Sequence, residues 1–160
     1  MIIVKSAREI ELIRVACKVI AKVFEDIKPF IKPGVSTLEI SNVAEKIILD
    51  NGCTPTFKGY GGFPGAICVS VNETLVHGIP SSKIILREGD IVSLDCGAIV
   101  DGWYGDNAMT VGVGNSVSEE ARRLMAVTEE ALFRGIAAAK QGNSLMEVCG
   151  AIEDYVRPFG

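Results

Sequence analysis

Apolar residues first recur at helical spacing. Ile10, Ile13, Val19, Ile20, Val23, Phe24 and Ile27 follow Ser6 and Glu9, which are spaced as a capping box. The pattern predicts a helix from there to about Pro29–Ile31, where Lys32-Pro33-Gly34 turns the chain. A second box, Ser36 with Glu39, opens a helix to about Asn51, and Gly52 is placed to take the left-handed conformation beyond its end. Residues 53–66 lose all periodicity and are rich in Gly and Pro, which predicts a loop. Ile67–Val71 reads as a short strand and Asn72–Ser82 as an irregular loop. The period then falls to two. Ile91–Ala98 and Trp103–Val111 read as strands around Asp101-Gly102, a dipeptide suited to a two-residue primed turn. Ser118 to Lys140 returns to helical spacing and ends at Gly142, and Ser144 with Glu147 starts a last helix that Pro158 stops. Helices around a hairpin sheet give an α/β (α+β) class.

The hairpin carries the most informative residues. With Asp101-Gly102 as its turn, pairing puts Asp95 opposite Ala108 and Gly97 opposite Asp106. Asp95 and Asp106 are then diagonal neighbours on one face, with Cβ atoms roughly 7 Å apart or less. Two carboxylates aimed at one spot repel unless a proton or a cation lies between them. A pair of divalent ions bridged by carboxylate is one natural occupant. Either aspartate alone reads as a strand-edge or turn residue; the shared face inside an apolar hairpin favours a metal site. His77 is the only histidine. A lone histidine is more often structural, but this one lies in a loop fixed by Gly78 and Pro80. From there it could donate a hydrogen bond to a substrate amide or a developing oxyanion.

Lys32-Pro33-Gly34-Val35-Ser36-Thr37-Leu38-Glu39-Ile40 lines up, position by position, with Lys140-Gln141-Gly142-Asn143-Ser144-Leu145-Met146-Glu147-Val148. At the same offset Glu45 matches Glu153, Ile48 matches Val156, and Gly52 matches Gly160. A duplication would divide one catalytic-type domain, 1–160, into a first pseudo-repeat, 1–114, and the start of a second, 115–160. After Gly52 come the loop, the strands and the aspartate hairpin, whereas nothing follows Gly160. On this logic the chain stops where a second sheet-forming half should begin, leaving at least ~60 residues absent.

Composition narrows the classes. Hydrophobic residues at 48% and charged residues at 22% are globular values, and 160 residues suffice for one ordinary core. A net charge of −4 without a basic stripe gives no support for nucleic-acid binding. No apolar run approaches the ~20 residues of a membrane span, and the start lacks the features of a secretory signal, which points to the cytoplasm. Five cysteines without a C-x-x-C pair read as free, mostly buried thiols. Lys58-Gly59-Tyr60-Gly61-Gly62-Phe63-Pro64-Gly65 lacks the order of a phosphate loop. It looks more like a flexible wall presenting aromatics to an apolar pocket.

Four ordered motifs now carry a resemblance: Gly59-Tyr60-Gly61-Gly62-Phe63-Pro64, Cys68-Val69-Ser70-Val71-Asn72-Glu73, His77-Gly78-Ile79-Pro80, and Gly89-Asp90 through Asp95 to Gly105-Asp106. Together they resemble type I methionine aminopeptidase, over the whole chain but only the N-terminal part of the family's pattern. The resemblance implies the pita-bread fold, two pseudo-symmetric α/β halves around a dinuclear metal centre. This chain would hold the N-terminal half plus the helices of the second. It implies metal-dependent removal of an initiator methionine, with two divalent ions drawn from cobalt, manganese, iron or zinc. Asp95 would be a ligand and Asp106 the ligand bridging both ions. His77 would be catalytic, contacting the substrate near the scissile amide, and Tyr60, Phe63 and Cys68 would line the methionine pocket. The substrate would be a peptide or nascent-chain N-terminus near the ribosome, with neither nucleic acid nor membrane as partner, and the protein a monomer if the chain is complete.

Gly61 and Phe57 stand where some relatives carry His and Cys. The resemblance implies that the family's remaining ligands, one His and two Glu, lie beyond the point equivalent to Gly160, so weak or absent metal binding and no peptidase activity are expected if these 160 residues are everything. Two other readings stay open: a non-catalytic pita-bread half acting as a binding or pairing module, and a metallopeptidase of the same fold that cleaves before proline.

Overall fold

A computed structural model describes residues 3–160 and divides the chain into two compact units, Met1–Val117 and Ser118–Gly160. The first unit begins with α1 (Ala7–Ile27), capped by Ser6 and Glu9 as a full capping box and followed by a single 3-10 turn, Lys28–Phe30. Helix α2 (Thr37–Asp50) opens on the Ser36–Glu39 box and closes on Asn51, with Gly52 at φ +71°. Both boxes hold their glutamates below the ordinary carboxylate range, through hydrogen bonds from Ser6 and Ser36.

The sheet is built around β3 (Ile91–Val100). Along one edge β3 pairs antiparallel with β4 (Trp103–Gly112); the other edge is shared by β1 (Thr54–Pro55) and β2 (Cys68–Val71). Asp101 and Gly102 both have positive φ, 49° and 81°, as a primed two-residue turn requires, and the register follows from it. Asp95 pairs with Ala108 and Gly97 with Asp106. Strand β1 is the one strand absent from the sequence reading, which gave 53–66 as loop. Two residues are too few to show a period, and Pro55 sits at an edge where no ladder donor is needed.

Alternation decides the layers. Val92, Leu94, Cys96 and Ala98 of β3 join Val69 of β2 in a core completed by Ile20, Val23, Phe24 and Ile27 of α1 and Ile40, Ala44 and Ile48 of α2. The intervening residues of β3 face the other way. Helix α1 packs on β4 at very close range: a Cβ on Gly105 would lie 2.6 Å from the Ala16 carbonyl carbon and 2.7 Å from the Cys17 nitrogen. In the second unit, α3 (Glu119–Ala138) is capped by Ser118 and ends slightly before the expected Lys140. Helix α4 (Leu145–Val156) starts on the Ser144–Glu147 box. Gly135 lets the two helices meet, since a Cβ there would come 2.8 Å from Ile152 Cδ1. All five cysteines are free; Cys53, Cys68 and Cys96 are buried, Cys17 and Cys149 exposed.

Because the neighbours of Gly105 are helix backbone rather than flexible side chain, Gly105→Ala is expected to destabilise the protein by about 1–3 kcal/mol. Chemical denaturation should show this as a lower midpoint with an unchanged slope.

Candidate functional site

The face of the sheet turned away from the core is organised in rows set by the register. Ser70, Ser93 and Thr110 form one, in which the Ser93 and Thr110 hydroxyls hydrogen-bond at 2.8 Å. Cys68, Asp95 and Ala108 form the next, and Gly97 with Asp106 follows. Asp95 and Asp106 are therefore diagonal neighbours on one face. Both line a cavity of about 620 Å³, within the usual range of ligand pockets.

Two loops complete the cavity. The first brings Phe57, Tyr60, Phe63 and Pro64, with Gly61 and Gly62 between them. Gly59, Gly61 and Gly62 all have positive φ, and the loop closes on itself through the Gly59 N–H to Phe63 O (2.8 Å) and the Tyr60 N–H to Phe57 O (3.0 Å). Tyr60 remains 83% exposed while touching the cavity, and Phe63 is half-buried. The second loop brings His77 and Ile79. His77 has φ +58°, a left-handed conformation that costs a non-glycine residue about 1–3 kcal/mol and persists only where its surroundings over-determine it. Here Gly78 supplies the constraint. Its carbonyl accepts from Val69 N–H at 3.0 Å, its N–H donates to the Ser70 hydroxyl at 3.0 Å, and a Cβ on it would lie 2.2 Å from Val69 O.

The structure thus brings all six sequence-derived candidates, His77, Asp95, Asp106, Tyr60, Phe63 and Cys68, to one cavity. Sequence reasoning missed Ile79 as part of its wall and Ser70 as the anchor of the His77 loop. The signal for Ser70 was its period-two spacing from Cys68, which puts both on the face of Asp95.

Burial raises the Asp95 carboxyl above its ordinary range; Asp106 adds to the rise and His77 opposes it. Burial likewise pushes the Cys68 thiol up to about 11, with both aspartates contributing, so it stands as a neutral, weakly polar wall. Among the described residues no group of three or more His, Cys, Asp or Glu side chains is placed to hold a metal ion. The two carboxylates fit a hard divalent cation as part of a donor set, not as a whole one.

Residues 11–160 match the model of metallopeptidase family M24. The methionine aminopeptidase 1 of Bacillus subtilis is 49% identical over 98% of this chain and 62% of its own length. The crystal structure of methionine aminopeptidase from Rickettsia prowazekii superposes with a TM-score of 0.96 at 34% identity, covering 99% of this chain and 63% of that one. An Xaa-Pro dipeptidase from Bacillus anthracis superposes with a TM-score of 0.86 at 30% identity, covering 98% of this chain and 42% of the other. The chain belongs to metallopeptidase family M24, and the expected resemblance to methionine aminopeptidases and their pita-bread fold is borne out. It spans less than two thirds of the length of these relatives.

Removing the Ser70 hydroxyl strips the Gly78 N–H of its partner. Ser70→Ala is expected to cost about 1–3 kcal/mol and to speed hydrogen exchange at Gly78 well beyond that in α1.

Proposed function

We propose that this protein removes an initiator methionine from polypeptides by metal-dependent hydrolysis, with Asp95 and Asp106 as metal-holding carboxylates and His77 facing the substrate. The observation that carries the proposal is the convergence of two carboxylates from adjacent strands with His77 on one apolar-walled cavity. The family calls for divalent ions. Two of them, cobalt, manganese, iron or zinc, are proposed here, and Asp95 and Asp106 would help to hold them. When bound, such ions polarise a carbonyl and lower the pKa of water enough to make it a nucleophile at neutral pH.

The remaining work falls to the chain itself. Phe57, Phe63, Cys68 and Ile79 present an apolar surface with one polarisable thiol, suited to an unbranched thioether side chain. His77, held by its tethered loop, is placed to donate a hydrogen bond to the peptide being cleaved. Methionine rather than proline chemistry is favoured by the identity to methionine aminopeptidases, which exceeds that to the dipeptidase. The peptide would be a nascent-chain N-terminus in the cytoplasm, a reading in keeping with a net charge of −4 and with the absence, among the described residues, of any helix long and apolar enough to cross a membrane.

The division into pseudo-repeats at 114/115 belongs to the same proposal. It is supported by the boxed helices α2 and α4 and by positive φ at Gly34 and Gly142, which precede them.

Two carboxylates without further donors bind an ion weakly, so the test runs at millimolar metal. Methionine release from Met-Gly-Met with added Mn²⁺ or Co²⁺ is compared for the wild type and Asp106→Ala. Loss of an outer partner of a metal ligand costs 10–100-fold, so loss of the ligand itself is expected to cost on the order of 100-fold or more. Turnover that ignores the substitution removes Asp106 from the site.

A further inference from the structure

Among the described residues, one buried side-chain polar atom has no hydrogen-bond partner: the Thr56 hydroxyl oxygen. Its place in the fold is specific. Thr56 N–H donates to Gly97 O at 3.0 Å, continuing the β1–β3 ladder one residue beyond Pro55, so Thr56 stands across from Gly97 on one side as Asp106 does on the other. Thr56, Gly97 and Asp106 are therefore one row of the sheet. A Cβ on Gly97 would lie 2.9 Å from both Thr56 Cβ and Thr56 Oγ1, and 3.2 Å from Phe57 Cε1. The threonine side chain leans over the glycine, onto the face that carries the Asp106 carboxylate, and occupies the room that glycine leaves.

A buried hydroxyl without a partner is costly to keep, and valine would fill the same space without that cost. The Thr56 hydroxyl is therefore free to take a partner in another state of the protein. Directly paired Cβ atoms in an antiparallel ladder lie about 4.5–5.5 Å apart. Gly97 thus puts no side chain between the Thr56 hydroxyl and Asp106 along that row.

We infer that Thr56 is a positioning residue for the proposed metal site. Its hydroxyl donates to the Asp106 carboxylate when a cation draws that carboxylate inward, and so fixes which oxygen faces the ion. Gly97 is the necessary counterpart, since any side chain there would displace the hydroxyl. The inference rests on the reading of Asp95 and Asp106 as metal-holding groups, and the experiment separates the two.

Mn²⁺ is titrated into the wild type, Thr56→Val, Thr56→Ser and Asp106→Ala, with free ion followed by electron paramagnetic resonance, and each metal-free protein is melted. Thr56→Val is expected to weaken Mn²⁺ binding about 10-fold, as loss of an outer-shell partner does. Its metal-free melting temperature should stay level or rise, and Thr56→Ser should restore the affinity. Unchanged Mn²⁺ affinity in Thr56→Val, with binding lost in Asp106→Ala, overturns the role of Thr56 alone. A lower metal-free melting temperature in Thr56→Val also overturns it, because the hydroxyl would then already have a partner. Binding that survives Asp106→Ala, or is absent from the wild type, sinks the metal reading and this inference together.

Discussion

Val92, Leu94, Cys96 and Ala98 are all at 0% exposure, and each stands next in the chain to a residue on the opposite face of β3. This alternation is the constraint from which the site follows, since a slip of one residue would bury Asp95 and expose Leu94. The opposing force is the repulsion between the two carboxylates. Two unit charges about 7 Å apart at an effective dielectric near 20 repel by roughly 2 kcal/mol, and by less where water screens them. Burying one valine or leucine side chain stabilises by about 1.5–3 kcal/mol, and Val92 and Leu94 share the register of β3 with buried Cys96 and Ala98. Packing therefore prevails, and the carboxylates stay together whether or not an ion joins them.

The same economy holds the loops. The four buried polar side chains among the described residues are Ser36, Thr37, Ser41 and Ser70. Ser36 caps α2, and the other three tie irregular chain to regular elements. Thr37 exchanges two hydrogen bonds with the backbone of Ser81, at 2.9 and 3.1 Å. Ser41 accepts from Ala66 N–H at 3.1 Å, and Ser70 accepts from Gly78 N–H. Buried polar groups are kept when they are paired, and here their partners are the segments that frame the cavity. The left-handed His77 is affordable because its neighbour is fixed in this way.

Most of the fold was legible because its signals are local. Capping boxes at Ser6, Ser36 and Ser144, and the Asp101-Gly102 turn, act within a few residues, and each lies where the pattern put it. The register of Asp95 and Asp106 was legible for the same reason: a two-residue turn leaves one pairing. What stayed hidden depends on contacts between distant segments. The ties from Thr37 to Ser81 and from Ser70 to Gly78 leave no periodic trace, nor does the two-residue strand Thr54–Pro55. Nothing in the sequence shows what Gly105 and Gly97 accommodate. In the structure one admits the backbone of α1 and the other the side chain of Thr56.

Rigidity is unevenly distributed around the cavity, and on the proposed reading that matters for selectivity. The sheet face and the His77 loop are held by buried hydrogen bonds and a packed core. The wall from Gly59 to Phe63 is held by its own turn bonds, three positive-φ glycines and an ion pair between Lys58 and Glu45, which is half-exposed on the lysine side. An ion pair of that exposure contributes little, about 0–1 kcal/mol, and Tyr60 packs against almost nothing. The groups assigned to the chemistry thus sit on strands held by core packing, Asp95 and Asp106, or on a loop tethered to one, His77. Of the groups assigned to the methionine side chain, Phe57, Tyr60 and Phe63 sit on a segment with low local stability, where a substitution such as Phe57 or Gly61 in place of another residue reshapes the pocket at small cost to the fold.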